Sequence, residues 1–340
     1  MLKPRCPTCH SKSCDHYASY ETQHNGTRKR YQCNPCRPLF SETKGSVLEG
    51  LKKPISLIVQ VLEARTEGMG LNATCRVFDL AKNTVLSWER KFAGLRETLL
   101  VYALTNRFLS QVIEGDELYT KIKENKPIEE CEGWTILLMD RASRLIWALA
   151  CGKKDRQLFL SSIQILSDVI ERTGEVTLVT DGERRYGNLL FEICHEVVHS
   201  GKRGRPPKVL RRGVKVRLKN KGSQSKSGRK RPKYEAPHSE HPETSQDCPD
   251  TKIHANHAEA FNASLRRRNS AYRRKTNTYA KQKTTLQRTL DIYWITHNFI
   301  RKQFTTKQVP AVALGILEKG LSWEQVLSIQ KLPGTLIMET

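Results

Sequence analysis

Apolar residues recur along this 340-residue chain in two periods, and the change from one to the other organises it. Between Pro54 and Arg90 they return every three or four positions: Ile55, Ile58, Val59 and Leu62, then Val77 and Phe78, then Val85 and Trp88. That spacing predicts three helices, with Asn72 and Asn83 as N-caps and a short turn at Asp79-Leu80-Ala81 between the last two. From residue 107 the runs become β-like: Leu109 to Asp116, Trp134 to Met139 and Leu145 to Ala150, the last two joined by a hairpin at Asp140 to Arg144. Residues 155 to 171 return to helical spacing through Leu158, Phe159, Ile163 and Leu166. A short run from Val176 to Val179 follows, then a helix from Tyr186 to Cys194 and a strand from Glu196 to His199. Residues 254 to 303 read as helix again, and two short helical pieces lie beyond Val309.

Polar residues interrupt these runs at telling places. The run at Val176 stops at Asp181-Gly182, and the run from Leu109 ends at the carboxylate of Asp116, which places Asp116 at the end of a first strand. A carboxylate at the end of a buried strand lies at the sheet's edge, where ligands reach it, and Gly182 allows a sharp turn beside it. In the helix after residue 254, Glu259, Asn262 and Arg266 fall on one face. Glu117 alternates to the other side of its strand from Asp116, Asp140 sits in a turn expected to be exposed, and Glu183 lies near Asp181.

Cys6-x2-Cys9 and Cys33-x2-Cys36 have the spacing of a four-cysteine Zn²⁺ ribbon, each pair offering two thiolates from one tight turn. His10, Cys14 and His16 are near but break that spacing. So few apolar residues surround the pairs that the metal has to supply the folding energy.

Charge then narrows the choice of partners. Lys and Arg number 58 against 35 Asp and Glu, a net +23, which points to a polyanion, nucleic acid above all. No apolar run is long enough to span a membrane, and the first residues lack the apolar core of a signal peptide, so the ten cysteines read as reduced thiols and metal ligands. With that charge the three-helix segment reads as a helix-turn-helix that turns Asn83, Thr84, Ser87 and Arg90 to a DNA groove. Residues 201 to 234 hold 15 Lys and Arg and no Asp or Glu, which predicts a loop that orders on phosphate. Within it Arg203-Gly204-Arg205-Pro206 reads either as an AT-hook for a narrow minor groove or as an ordinary basic linker.

Three strands, a helix, a strand, a helix and a strand is the order of a ribonuclease H-like fold, a mixed sheet flanked by helices. Its first and fourth strands are neighbours, so Asp116 and Asp181 are expected together, with Glu259 brought across them by its helix. Three carboxylates in one place call for cations between them, and two Mg²⁺ (or Mn²⁺) ions would suit phosphodiester chemistry. Arg184, Arg185, Arg266 and Arg267 would flank the site and hold DNA phosphates.

Cys6-x2-Cys9, Gly26 to Phe40, Gly115-Asp-Glu-Leu-Tyr, Thr180-Asp-Gly-Glu-Arg-Arg-Tyr and Ala258-Glu-Ala-Phe-Asn-Ala-Ser-Leu-Arg-Arg occur in the order of the transposases of the Insertion Sequence One group and their relatives, which the chain resembles over residues 5 to 305. The resemblance implies a zinc ribbon (1–45), a helix-turn-helix (50–95), a catalytic domain (107–305) with a basic insertion (201–250), and a helical extension (306–340). It implies Asp116, Asp181 and Glu259 as catalytic metal ligands and Cys6, Cys9, Cys33 and Cys36 as zinc ligands. A related group uses Asn in the third place, which would bring in Asn256 or Asn262. It further implies double-stranded DNA, both element ends and target, as partner, a homodimer or larger assembly on that DNA, and a cytoplasmic, nucleoid-associated protein of a prokaryote. A DNA-binding regulator without catalysis and a structure-selective nuclease of the same fold are the rival readings.

Overall fold

The computed structural model describes residues 4–123, 127, 130–199, 204–218, 254–273 and 278–332. It divides into two compact units, Met1–Leu99 with Leu321–Thr340, and Leu100–Gly320.

The first unit opens with an antiparallel sheet of β1 (Cys14–Thr22), β2 (Gly26–Cys33) and β3 (Leu39–Ser41) in that order. Three helices follow: α1 (Ile55–Thr66), α2 (Leu71–Val77) and α3 (Lys82–Ala93). Their buried apolar residues include Ile58, Leu62, Val85 and Trp88 of the sequence stripe together with Val61 and Phe92, whereas Ile55 and Val59 are half-buried. Arg65 of α1 reaches the buried Glu89 of α3 at 2.6 Å, an ion pair across the helix packing. Asp79 takes a left-handed φ of 49° in the turn between α2 and α3. Two expectations need correction here. Asn72 and Asn83 are the second residues of their helices, whose N-caps are Gly70 and Ala81, both extended and without a side-chain cap. Val77 is 63% exposed, and Thr74 is buried on α2 in its place.

The boundary between the units falls within α4 (Arg96–Ala103). The second unit is built on a five-stranded sheet of β4 (Phe108–Tyr119), β5 (Trp134–Asp140), β6 (Ile146–Gly152), β7 (Thr173–Thr180) and, farther along, β10 (Val214–Leu218). The strand order is β10-β7-β4-β5-β6. β4, β5 and β6 are an antiparallel meander, whereas β4 pairs with β7, and β7 with β10, in parallel. The parallel pairs require crossovers. α5 (Arg156–Ile170) supplies the one before β7, with the Asp155 carboxylate accepting from Leu158 N at 3.1 Å as its N-cap. α6 (Arg185–Ile193) lies in the second, followed by a separate ribbon of β8 (His195–Val197) paired with β9 (Lys208–Leu210).

The other face of the sheet is covered by α7 (Asn256–Arg268), a short 3-10 turn (Ser270–Tyr272) and α8 (Lys283–Ile295), which runs into a π-helical turn (Thr296–Ile300). With both faces covered, Ile136 to Met139 and Ile146 to Leu149 are continuous buried runs. β6 is an edge strand, and side-chain amides occupy its backbone groups. Asn298 accepts from Ile146 N (2.9 Å) and donates to Ile146 O (2.8 Å), while Gln287 accepts from Cys151 N (2.8 Å) and donates to Leu149 O (3.1 Å). The helical layer thus blunts the edge against pairing with another chain.

The fifth strand differs from the sequence expectation. The strand expected at Glu196 to His199 belongs instead to the β8–β9 ribbon, and the sheet is completed by Val214–Leu218, inside the basic stretch expected to be a loop. Val214, Val216 and Leu218 alternate with Lys215 and Arg217. That period of two was hidden under the excess of cations, yet all but Lys215 are buried. Residues 201–203 and 219–250 of the basic insertion lie outside the described residues.

The expected extension at 306–340 is divided between the units. α9 (Pro310–Ala313) belongs to the second. α10 (Trp323–Leu327), capped by Ser322 and Gln325, returns to the first, where Trp323 packs on Phe92 with ring centroids 5.3 Å apart. Gln330 Nε2 then donates to Lys44 O at 2.9 Å and Lys331 N to Gly45 O at 2.9 Å, tying this segment to the sheet region.

Candidate metal centre and carboxylate edge

Two tight turns bring four cysteines together. Cys6 Sγ lies 3.5 Å from Cys36 Sγ, Cys9 Sγ 3.4 Å from Cys33 Sγ, and Cys36 Sγ 3.2 Å from Cys9 Sγ. All four sulfurs lie within 4.8 Å of one another. A tetrahedron of Zn–S bonds of about 2.3 Å sets its sulfurs about 3.8 Å apart, so these sulfurs need move apart by only a few tenths of an ångström to hold the ion. Burial opposes ionisation of the Cys6 thiol, but N–H groups of Cys9 and Thr8 and the neighbouring thiols outweigh it and bring its pKa down to about 6. Cys14 is buried beside the cluster, where burial and the Cys33 charge push its pKa up to about 11, as befits a packing residue. The four cysteines can hold zinc, and the three-stranded sheet around them has Phe40 and Tyr31 as its small core.

In the second unit the last rung of parallel pairing between β4 and β7 is Gly115 with Thr180. Asp116 and Asp181 come next along the chain from Gly115 and Thr180, where neighbouring backbones run about 4.8 Å apart. Asp181 directly follows β7, whereas Asp116 lies within β4, three residues before its end at Tyr119 and not at the strand end the sequence suggested. Gly115 keeps that rung uncrowded. A Cβ there would lie 3.0 Å from Thr180 Cγ2 and 3.3 Å from Leu138 Cδ2, under the ring of Tyr186. Gly182, with φ 71°, turns the chain directly after Asp181. One carboxylate oxygen of Asp181 is buried. Asp116 Oδ1 accepts from Glu117 N and its Oδ2 from Asn262 Nδ2, each at 2.8 Å.

α7 meets this edge through Asn262, which is buried, while Glu259, one turn earlier, and Asn256 are exposed. Among the described residues, the four cysteines are the one group of three or more candidate ligands whose donor atoms lie within 4.8 Å of each other, so Asp116, Asp181 and Glu259 do not close into such a cluster. Oxygen donors from two aspartates and a carboxamide nonetheless suit a hard divalent cation, and the Asn262 amide can present its oxygen by a half-turn.

Neither protein-family models nor curated proteins contain a match to this chain.

The remaining sequence candidates fall out as follows. Asn83 and Arg90 are exposed on α3, and Thr84 and Ser87 half-buried. Arg205 is exposed in the link between β8 and β9, and Arg203 lies outside the described residues. Arg266 and Arg267 occupy the last turn of α7, with Arg267 exposed. Arg184 is exposed, but Arg185 is committed to Glu183 at 2.7 Å. Asp140, expected in an exposed turn, is 1% exposed. It accepts from Ser143 N (2.8 Å) and Ser143 Oγ (2.6 Å), and burial raises its pKa despite those bonds.

Sequence reasoning missed Glu114. This carboxylate, two residues before Asp116 and on the same face of β4, is fully buried. It accepts from His257 N (3.0 Å) and Ala258 N (2.9 Å) in the first turn of α7 and pairs with Arg141 Nε at 2.7 Å. It thereby fixes the start of the helix that delivers Asn262. The parity with Asp116 was the available signal, but parity does not tell a buried acid from a surface one.

No helix among the described residues is long and apolar enough to cross a membrane.

Proposed function

We propose that this chain is a DNA transposase that cuts phosphodiester bonds at element ends and joins the freed 3′-hydroxyls to target DNA. One observation carries the reading: the Gly115–Thr180 rung makes Asp116 and Asp181 adjacent at one sheet edge, and the amide of Asn262 sits on Asp116. The adjacency of the first and fourth strands, β4 and β7, is what a ribonuclease H-like sheet requires, and it supports that assignment for the second unit.

In this reading Asp116 and Asp181 hold Mg²⁺ or Mn²⁺, with the third ligand from Glu259 or Asn262 of α7. Bound there, two such ions would activate the attacking oxygen and stabilise the departing one. The attacking oxygen, from water in cleavage and from a 3′-hydroxyl in joining, forms a new P–O bond as the scissile P–O bond breaks. Arg266, Arg267 and Arg184 hold the phosphates on either side; Arg185 is left to its structural partner Glu183. The zinc-held sheet and α3, through Asn83, Thr84, Ser87 and Arg90, select the element ends. Joining two ends to one target needs at least two copies on DNA.

Purified zinc-loaded protein, labelled element ends, Mg²⁺ or Mn²⁺ and a plasmid target provide the test. Joined products support the transposase. Cuts without joining indicate a nuclease, bound but intact DNA a regulator, and full strand transfer by Asp181→Asn removes the metal-site assignment.

A further inference from the structure

Beneath the aspartate edge, on the sheet face away from Asn262, lies a charged network that the proposed chemistry does not use. Lys154, in the link between β6 and α5, places its Nζ 3.1 Å from Glu117 Oε2 and 3.5 Å from Glu183 Oε2. Glu117 follows Asp116 directly on β4, and Glu183 is two residues past Asp181 in the turn out of β7. One ammonium therefore joins Glu117, next to Asp116, to Glu183, two residues beyond Asp181. Its position is fixed from below by the Trp134 ring, 4.4 Å from Nζ.

The rest of the network holds the same turn. Arg185 grips Glu183 (Nε 2.9 Å, Nη2 2.7 Å) and donates through Nη1 to Lys154 O at 2.8 Å. The Tyr186 hydroxyl, fully buried, donates to Asp116 O at 3.3 Å. Two carboxylates, Glu117 and Glu183, thus face two cations, Lys154 and Arg185. Gly182, in its left-handed conformation, makes the turn after Asp181. The Lys154 bridge spans this turn and β4, beyond the last rung of the β4–β7 pairing.

We propose that Lys154 is a positioning residue that sets the separation of Asp116 and Asp181 for a divalent cation by bridging Glu117 and Glu183. The inference rests on the reading of the two aspartates as metal ligands. Neighbours that orient ligands typically govern metal affinity by about 10–100-fold.

The test is Mn²⁺ binding to the zinc-loaded full chain, followed by titration calorimetry. Lys154→Met weakens Mn²⁺ binding by about 10–100-fold, Glu183→Gln weakens it less, and Lys154→Arg, which keeps the cation, binds within a few-fold of the parent. Thermal unfolding of the zinc-loaded variants without Mn²⁺ is recorded alongside, and Glu183→Gln decides the matter if Lys154→Met does not fold. Parent-like Mn²⁺ binding by both Lys154→Met and Glu183→Gln overturns the proposal while leaving the metal site standing. If Asp181→Asn binds Mn²⁺ as the parent does, the metal-ligand reading itself falls, and the role of Lys154 with it.

Discussion

The Asn262 side chain donates to Asp116 Oδ2 at 2.8 Å, so the helix α7 touches the carboxylate edge through an amide rather than through an acid. Glu259, one turn earlier on the same helix, is exposed. The two residues should therefore separate in their effects. Asn262→Ala is expected to weaken Mn²⁺ binding by about 10–100-fold and to cost stability, because it strips a buried partner from Asp116. Glu259→Gln should leave stability within about 0.5 kcal/mol, as for other surface changes, while abolishing cleavage if it is the third ligand. Urea unfolding and calorimetry on both variants check this; unchanged Mn²⁺ binding by Asn262→Ala would detach α7 from the site.

Glu114 is the second point at which α7 is held. Its buried carboxylate takes two N–H groups of the helix's first turn and the Arg141 guanidinium. Removing one partner of a buried pair leaves the other charge uncompensated, at a cost of about 3–5 kcal/mol. Glu114→Ala should show a loss of that order in urea unfolding of the second unit, and Glu114→Gln, which still accepts from the helix, a smaller one. A loss below about 1 kcal/mol for Glu114→Ala, the range of an exposed pair, would show that the helix start is held by something else.

These contacts mark what was legible in the chain. The β-run ending at Asp181, the helical stripe of Ile58 and Leu62, and the paired cysteines were readable because period and spacing translate directly into local geometry. Val214–Leu218 was not, since its alternation is carried by Lys215 and Arg217, and the charge excess argued for a loop. Asp140 was misjudged because a turn aspartate is usually solvated, whereas Ser143 and the sheet enclose this one. The choice between Glu259 and Asn262 stayed open for a related reason. Both sit on one helical face, and only the packing of α7 on β4 decides which faces inward.

Zinc removal should act on the first unit alone. Cys6 and Cys33 are fully buried, and beyond them the local core is little more than Phe40 and Tyr31. Protein as purified is expected to carry one zinc per chain by atomic absorption, and a strong chelator or Cys33→Ser should raise hydrogen exchange across β1 and β2. Exchange in β4 to β7 should not change, because those strands belong to the other unit. Absence of zinc in protein whose β1 and β2 are nonetheless protected would show that the sheet stands without the metal.

The second unit should lose stability in mild acid through His297. This residue is buried in the π-helical turn, with Nε2 2.8 Å from Arg144 O and Nδ1 3.2 Å from Gln303 Nε2. A neutral ring satisfies both, donating to the carbonyl and accepting from the amide. Burial brings the pKa down to about 4; the Arg144 carbonyl opposes the shift, and the charges of Arg301 and Arg268 add to it. Because the unfolded chain binds the proton more tightly, with a pKa near 6.5, the contribution is complete above that value and is lost as pH falls towards about 4. The full loss is on the order of 3 kcal/mol, from about 1.36 kcal/mol for each pKa unit. Urea midpoints at pH 7 and pH 5 should differ in the parent, and His297→Gln, though less stable at pH 7, should show a flatter dependence. An equally steep pH dependence in the variant would assign the acid sensitivity to other groups.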